Sequence, residues 1–264
     1  MTRFGLIVIG DEILSGKRAD KHMPKVIELL AVRGLALSWA RYLGDEREAI
    51  TDLLRESFAG EDVVFSTGGI GATPDDHTRQ AAGAALGLPL RLHPEAEVLI
   101  GQRIAEMSPA GLSSAERQQR MKMGEFPEGC TIIPNPYNKI PGFAIRRHYF
   151  VPGFPVMAWP MLEWVLDEHF STEFHQVELR ERSMLVFGSA ESTLTPLMER
   201  IENDFPGIKV FSLPSVGDDH ASGPRARRHI ELGVKGSEAG AVDRAYAALK
   251  AEVGVLALEF DEVA

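Results

Sequence analysis

Apolar and polar positions alternate between two periods over the first third of the chain. Residues 4–9 form an unbroken apolar run, F-G-L-I-V-I, as expected of a strand buried on both faces. Residues 20–33 place apolar side chains at three- and four-residue spacing and read as a helix; 36–43 and 62–67 return to strand, 46–59 and 76–86 to helix. Such a βαβαβα order makes a parallel sheet with helices on both faces. Helical patterns over 94–107 and 113–124 follow, separated by the turn-forming Ser108-Pro109-Ala110-Gly111. Short strands are expected at 131–134, 143–146 and 149–151, the last two as a hairpin, with an apolar-rich helix at 156–170. The order then changes to strand 176–187, helix 191–205, strands 209–213 and 228–235, helix 238–252 and a final strand at 255–260. We therefore expect an α/β fold: a doubly wound, mostly parallel sheet in residues 1–172 and a second, smaller α+β domain of βαββαβ order in 173–264. The turn-rich stretch 214–224 is expected to be the most mobile.

Composition narrows the picture. A hydrophobic content of 44% over 264 residues suits a globule with a substantial core. A formal charge of −10 repels nucleic acid and anionic membrane, so neither is an expected partner. The single cysteine, Cys130, excludes an intramolecular disulfide and reads as a small buried hydrophobe. No Cys/His pair has zinc-ligand spacing, no basic and apolar leader opens the chain, and no apolar run approaches the ~18 residues of a membrane span. A cytoplasmic protein is the expectation.

Chemistry in a parallel sheet gathers in the loops after the strands. The most informative is S-T-G-G-I-G-A-T-P-D-D-H-T, residues 66–78. Gly68, Gly69 and Gly71 can take positive φ and bring backbone N–H groups to a ligand, while Thr73 is expected to cap the next helix with Pro74 at its first position. Free amides there favour an anion. Asp75 and Asp76, expected in the same first turn, would repel phosphate unless a divalent metal lay between, although the acids can also simply complement a helix dipole. A second loop, G-D-E-I-L-S-G at 10–16, offers Gly10 for close approach and the carboxylates of Asp11 and Glu12. The third, N-P-Y-N-K-I-P-G-F at 135–143, presents asparagine amides, Lys139 and a proline-fixed backbone, or is only a connector. V-P-G-F-P at 151–155 again joins a strand to a helix and is a second candidate anion site.

In order and spacing, these four motifs resemble the molybdopterin-binding (MogA/MoaB-like) family, most closely the amino-terminal region of CinA, the competence/damage-inducible type. The resemblance implies a doubly wound domain over 1–172 whose glycine loop binds the phosphate end of a pterin or nucleotide. It also implies either metal-dependent ADP-ribose pyrophosphatase activity, as in CinA-type members, or adenylylation of molybdopterin, as in MogA-type members. In the first case the amides of Gly68, Gly69, Ile70 and Gly71 hold a diphosphate, and Ser66, Thr67 and Thr73 add hydroxyl contacts. Gly10, Asn135, Lys139, Pro141 and Gly142 complete the binding surface. Asp75 or Asp76 holds Mg²⁺ or another divalent cation, and Asp11 or Glu12 adds a ligand or activates water. The expected partner is a small nucleotide or pterin phosphate, molybdopterin included, bound by a homo-oligomer. Adenylylation and ligand sensing without turnover are the alternatives. The chain is expected to lack CinA's carboxyl-terminal nicotinamide-nucleotide deamidase domain, and its segment 137–140 is bulkier than in many relatives.

Other groups read more plainly. His77 is a metal ligand or a helix-surface histidine, Met107, Met121 and Met123 are packing residues, and Arg117, Arg120 and Lys122 form a solvated face or contact a neighbouring subunit or an anionic ligand. Arg225, Arg227 and Arg228 form an anion patch or are neutralised by Asp218 and Asp219.

Overall fold

The structure, a computed structural model, describes residues 2–108, 112–176, 180–217 and 223–263. The chain divides into two compact units, Met1–Phe174 and His175–Ala264. The first begins with β1 (Phe4–Ile9), the single turn α1 (Asp11–Leu14), α2 (His22–Ala31), β2 (Leu37–Leu43), α3 (Arg47–Phe58), β3 (Val63–Thr67) and α4 (Thr78–Leu86). It continues with β4 (Leu90–Leu92), α5 (Pro94–Met107), α6 (Ser114–Met121), β5 (Glu125–Pro127), β6 (Thr131–Ile133), β7 (Gly142–Ile145), β8 (His148–Val151) and α7 (Pro155–Phe170).

Six strands form one sheet in the order β2-β1-β3-β8-β7-β6. The β1–β2, β1–β3 and β3–β8 pairs are parallel, and β8–β7 and β7–β6 antiparallel. Alternation along β1 explains its unbroken apolar run. Phe4, Leu6 and Val8 face a core closed by Val26, Leu29 and Leu30 of α2 and by Met161, Leu162 and Val165 of α7. Ile7 and Ile9 face the other core, with Ile50 and Leu54 of α3, Ala81 of α4 and Ile100 of α5. Both faces are therefore covered, and the fold is doubly wound. The chain leaves β1 for β2 on one side and reaches β3 on the other, so a crevice opens beyond the carboxyl ends of β1 and β3.

The second unit contains β9 (Arg180–Phe187), α8 (Glu191–Asp204), β10 (Lys209–Ser215), β11 (His229–Gly236), α9 (Ala239–Val255) and β12 (Phe260–Glu262). Its sheet, ordered β10-β11-β9-β12, is antiparallel throughout. Met184, Val186, Leu232 and Val234 of the sheet pack on Leu194, Leu197 and Ile201 of α8 and on Val242, Tyr246 and Leu249 of α9.

Several boundaries differ from the sequence pattern. The last strand begins at Phe260, not 255, because α9 runs on and closes through Leu256 N–H to Glu252 O and Ala257 N–H to Gly254 O. The expected start of β9 at 176 abuts 177–179, and part of the 214–224 stretch, with Asp218 and Asp219, also lies outside the described residues. Arg225 and Arg227 instead pair with Glu231 and Glu259, at 3.0 and 2.6 Å, so the expected anion patch is neutralised by other acids. The ribbon of β4 and β5 and the single turn α1 are too short to leave a period in the sequence. No helix among the described residues is long and apolar enough to cross a membrane.

Candidate functional site

The glycine loop follows β3. Gly68 and Gly69 have φ of +99° and +67°, and a Cβ on either would drive into the Ile9 carbonyl oxygen or the Thr78 hydroxyl. Gly71 does not take positive φ as the sequence suggested; it is needed because the Asp76 carboxylate lies where its Cβ would be.

The loop's carbonyls are turned into the protein. Thr78 donates its hydroxyl to Gly68 O at 3.0 Å and its N–H to Gly69 O at 3.0 Å, while Gln119 Nε2 donates to Ala72 O at 2.9 Å. Arg79 donates to Gly71 O, to Lys122 O and, at 3.4 Å, to Glu125 O. Among the described residues, the amides of Gly69, Ile70 and Gly71 donate to no protein acceptor. Carbonyls engaged and amides open is the polarity of an anion cradle. The Gly68 amide is already committed to Val151 O at 3.1 Å, which removes it from the four expected phosphate donors.

Arg79, whose guanidinium holds the loop carbonyl of Gly71, is not singled out by the sequence pattern. It is 3% exposed, and burial pushes its guanidinium pKa down while Asp76 and Glu125 hold it up. A lone arginine in a helix pattern reads as solvent-facing. The carbonyls that bury this one lie 8 to 46 residues away in sequence.

The acids sort into different roles. Helix α4 starts at Thr78 behind His77, not at 76 behind Thr73, so Asp75 and Asp76 precede the helix instead of occupying its first turn. Asp76 Oδ2 accepts both the Thr73 N–H, at 2.9 Å, and the Thr73 hydroxyl, and Asp76 N–H returns to Thr73 O at 3.1 Å. That reciprocal closure makes a tight turn and uses Thr73 locally, where the sequence had suggested a helix cap. Asp75 is exposed; hydrogen bonding with the Thr73 side chain and its own backbone N–H hold its carboxyl below the usual range, with His77 helping.

Asp11 and Asp45 clasp one another. Asp11 N–H donates to Asp45 Oδ2 at 2.9 Å, and Asp45 N–H to Asp11 Oδ1 at 3.2 Å. Burial raises the Asp45 pKa, the Asp11 amide opposes the rise, and the charges of Asp11, Glu12 and Asp75 add to it. Asp45 was hidden in sequence as an ordinary turn residue 34 positions from its partner.

These parts surround a cavity of about 420 Å³ at the crevice, within the size range of small-ligand pockets. Of the expected site residues, Gly10, Glu12, Gly69, Ile70, Gly71, Thr73, Asp75, Asp76, Asn135 and Pro141 line it. Ser66, Thr67, Gly68, Asp11, Lys139 and Gly142 do not. Ser66 and Thr67 are buried in β3, and Gly142 lies in β7 against the Phe150 carbonyl. Lys139 pairs with Glu106. Asn135 lines the wall as a brace: Nδ2 donates to Asn138 Oδ1 and Ile140 O at 2.8 and 2.9 Å, and Oδ1 accepts from Tyr137 N–H at 3.0 Å. Arg18, Asp45, Asn138, Met123, Phe154 and Met157 are lining residues beyond the sequence assignment. Among the described residues no three His, Cys, Asp or Glu side chains gather closely enough to hold a metal as they stand. Of the carboxylates on this wall, Asp45 is raised by burial first and by the charges of Asp11, Glu12 and Asp75 after it.

Residues 5–172 match the family profile described as "Probable molybdopterin binding domain". The chain belongs to this family. A CinA-like protein of Citrifermentans bemidjiense is 35% identical over 205 residues, covering 75% of this chain and 47% of that protein. The chain thus spans about half the length of that relative. A protein of Pyrobaculum calidifontis is 28% identical over 98% of this chain and 97% of its own length. The crystal structure of CinA from Thermoplasma acidophilum, described as of unknown function, superposes with a TM-score of 0.55 at 25% identity, covering 63% of this chain and 98% of that one. The family thereby supports the CinA-type resemblance and its MogA/MoaB-like fold.

Proposed function

We propose that the first unit is a metal-dependent pyrophosphatase acting on an ADP-ribose-like nucleotide diphosphate. The observation that carries this reading is the sorted polarity of the glycine loop: amides of Gly69, Ile70 and Gly71 without protein acceptors beside an acid wall. Open amides call for an anion, and neighbouring carboxylates call for a cation to accompany it. Glu12 and Asp75 are the carboxylates of the wall left to hold that cation, since Asp76 closes the Thr73 turn. When bound, a divalent metal would neutralise phosphate charge and acidify a water molecule.

The chain's own residues do the rest. The loop amides fix the diphosphate so that water approaches one phosphorus in line with the bridging oxygen. Asp45, its proton affinity raised, accepts the proton of that water. The new P–O bond forms as the P–O–P link breaks, giving nucleoside monophosphate and sugar phosphate. Ile70, Met123, Ile140 and Met157 supply an apolar wall for the base.

A second reading, binding or adenylylation of molybdopterin, is favoured by the family description itself. Incubation with ADP-ribose and, separately, with ATP plus molybdopterin, each across a panel of divalent metals, separates the two by product. AMP and ribose 5-phosphate support the hydrolase, and adenylylated pterin the transferase. Binding without product in either arm leaves a sensing module.

A further inference from the structure

Among the described residues, Arg18 is the only lysine or arginine that lines the cavity, and it shares that lining with Glu12, Asp45, Asp75 and Asp76. Arg18 is exposed, and among the described residues it makes no ion pair with any of these acids. Its loop is held at both ends. The Arg18 N–H donates to Glu12 O at 2.9 Å, anchoring one end to α1. At the other end Asp20 accepts the His22 and Met23 amides at 2.8 and 3.1 Å and the Tyr42 hydroxyl at 2.7 Å, tying the loop to α2 and β2. The backbone is held on both sides, and among the described residues the Arg18 side chain donates to no protein acceptor, which leaves its five N–H groups for a ligand in the cavity that Arg18 helps to line.

Resting on the pyrophosphatase reading, we propose that Arg18 is the specificity-determining residue that receives the second phosphoryl group of a diphosphate whose first lies on the amides of Gly69, Ile70 and Gly71. The planar fork of a guanidinium matches two oxygens of one phosphate, which an ammonium cannot do. Two separate donor sets in one cavity select ligands carrying two phosphoryl groups over those carrying one. The acid wall sharpens the selection, because an anion that reaches only the loop amides has no side-chain cation beside it to offset the carboxylate repulsion.

The test is calorimetric titration of the full chain, with magnesium present, using inorganic pyrophosphate and orthophosphate as probes for wild type, Arg18→Gln and Arg18→Lys. The expected result is a loss of at least about tenfold in pyrophosphate affinity for Arg18→Gln, as for one charge-assisted contact. Orthophosphate affinity should stay within about twofold, Arg18→Lys should fall between, and thermal melting should not move, because Arg18 is exposed. Unchanged pyrophosphate binding in Arg18→Gln overturns the proposal, as does an equal loss for both anions. A wild type that binds pyrophosphate through Arg18 yet cleaves no nucleotide diphosphate upholds the proposal and removes the hydrolase reading. A wild type that binds neither anion overturns both.

Discussion

Replacing Arg79 by Met is the sharpest test of how the glycine loop is held. Methionine keeps most of the buried volume but removes the donors to Gly71 O, Lys122 O and Glu125 O. A buried carbonyl left without a partner costs about 1–3 kcal/mol; the two lost outright here are part-buried, so water recovers some of that, and the third contact at 3.4 Å is weak. Removing the buried cation recovers some desolvation, which the lowered arginine pKa reflects. A net destabilisation of roughly 2–4 kcal/mol follows, a large share of the ~5–15 kcal/mol typical of a domain. For a unit of this size that lowers the melting temperature by on the order of 10 °C. The assay is tryptophan fluorescence, because Trp39, Trp159 and Trp164 all lie in the first unit. Pyrophosphate affinity, measured well below the melt, should fall with it, since the freed Gly71 carbonyl no longer fixes the amides on its flanks. A variant that melts within about 2 °C of wild type and binds pyrophosphate unchanged would refute the role given to Arg79.

Three further outcomes are expected. Asp75→Asn should lower turnover of ADP-ribose on the order of a hundredfold with the melt unmoved, whereas Asp76→Ala should lower stability by about 1 kcal/mol through the lost Thr73 turn; steady-state rates beside melts decide, and equal behaviour of the two variants argues against the division of roles. Gly68→Ala should be destabilised by at least 1–3 kcal/mol and lose pyrophosphate binding, while Gly129→Ala, with positive φ but open space around it, should show strain without loss of binding. His148 is buried, its pKa pulled from 6.5 to about 3 mainly by burial, with the Arg146 charge adding. Its unfolded form takes up a proton that the folded form refuses, so stability is full above pH 6.5 and falls by up to about 1.4 kcal/mol per unit as pH drops toward 3. His148→Phe, which keeps a ring against Phe58, should flatten that dependence in denaturant titrations, and an unchanged slope would mean another group titrates.

Sequence reading succeeded where a local pattern answers to a local cause. The apolar run of β1 reports burial on both faces, and the spacing along α2 and α3 reports one buried side. The glycine loop was legible because Gly68 and Gly69 are demanded by backbone geometry on the spot. Features set by distant contacts were not. Arg79 is defined by carbonyls from two separate segments, residue 71 and residues 122–125, and Asp45 by an amide 34 residues away. Thr73 looked like a helix cap until Asp76 competed for the same hydroxyl and amide, which shifted the helix start to Thr78. Lys139 looked free for phosphate until Glu106, on α5, took it.

The reaction proposed for this cavity is cleavage of a diphosphate link. Phosphorus-31 NMR of ADP-ribose incubated with the protein and Mg²⁺ or Mn²⁺ reads that bond directly. The paired diphosphate resonances should give way to two phosphomonoester signals, at a rate abolished by EDTA and lowered on the order of a hundredfold by Asp75→Asn. Diphosphate resonances that persist through prolonged incubation with folded protein and every divalent metal tried, or a conversion indifferent to EDTA, would contradict it.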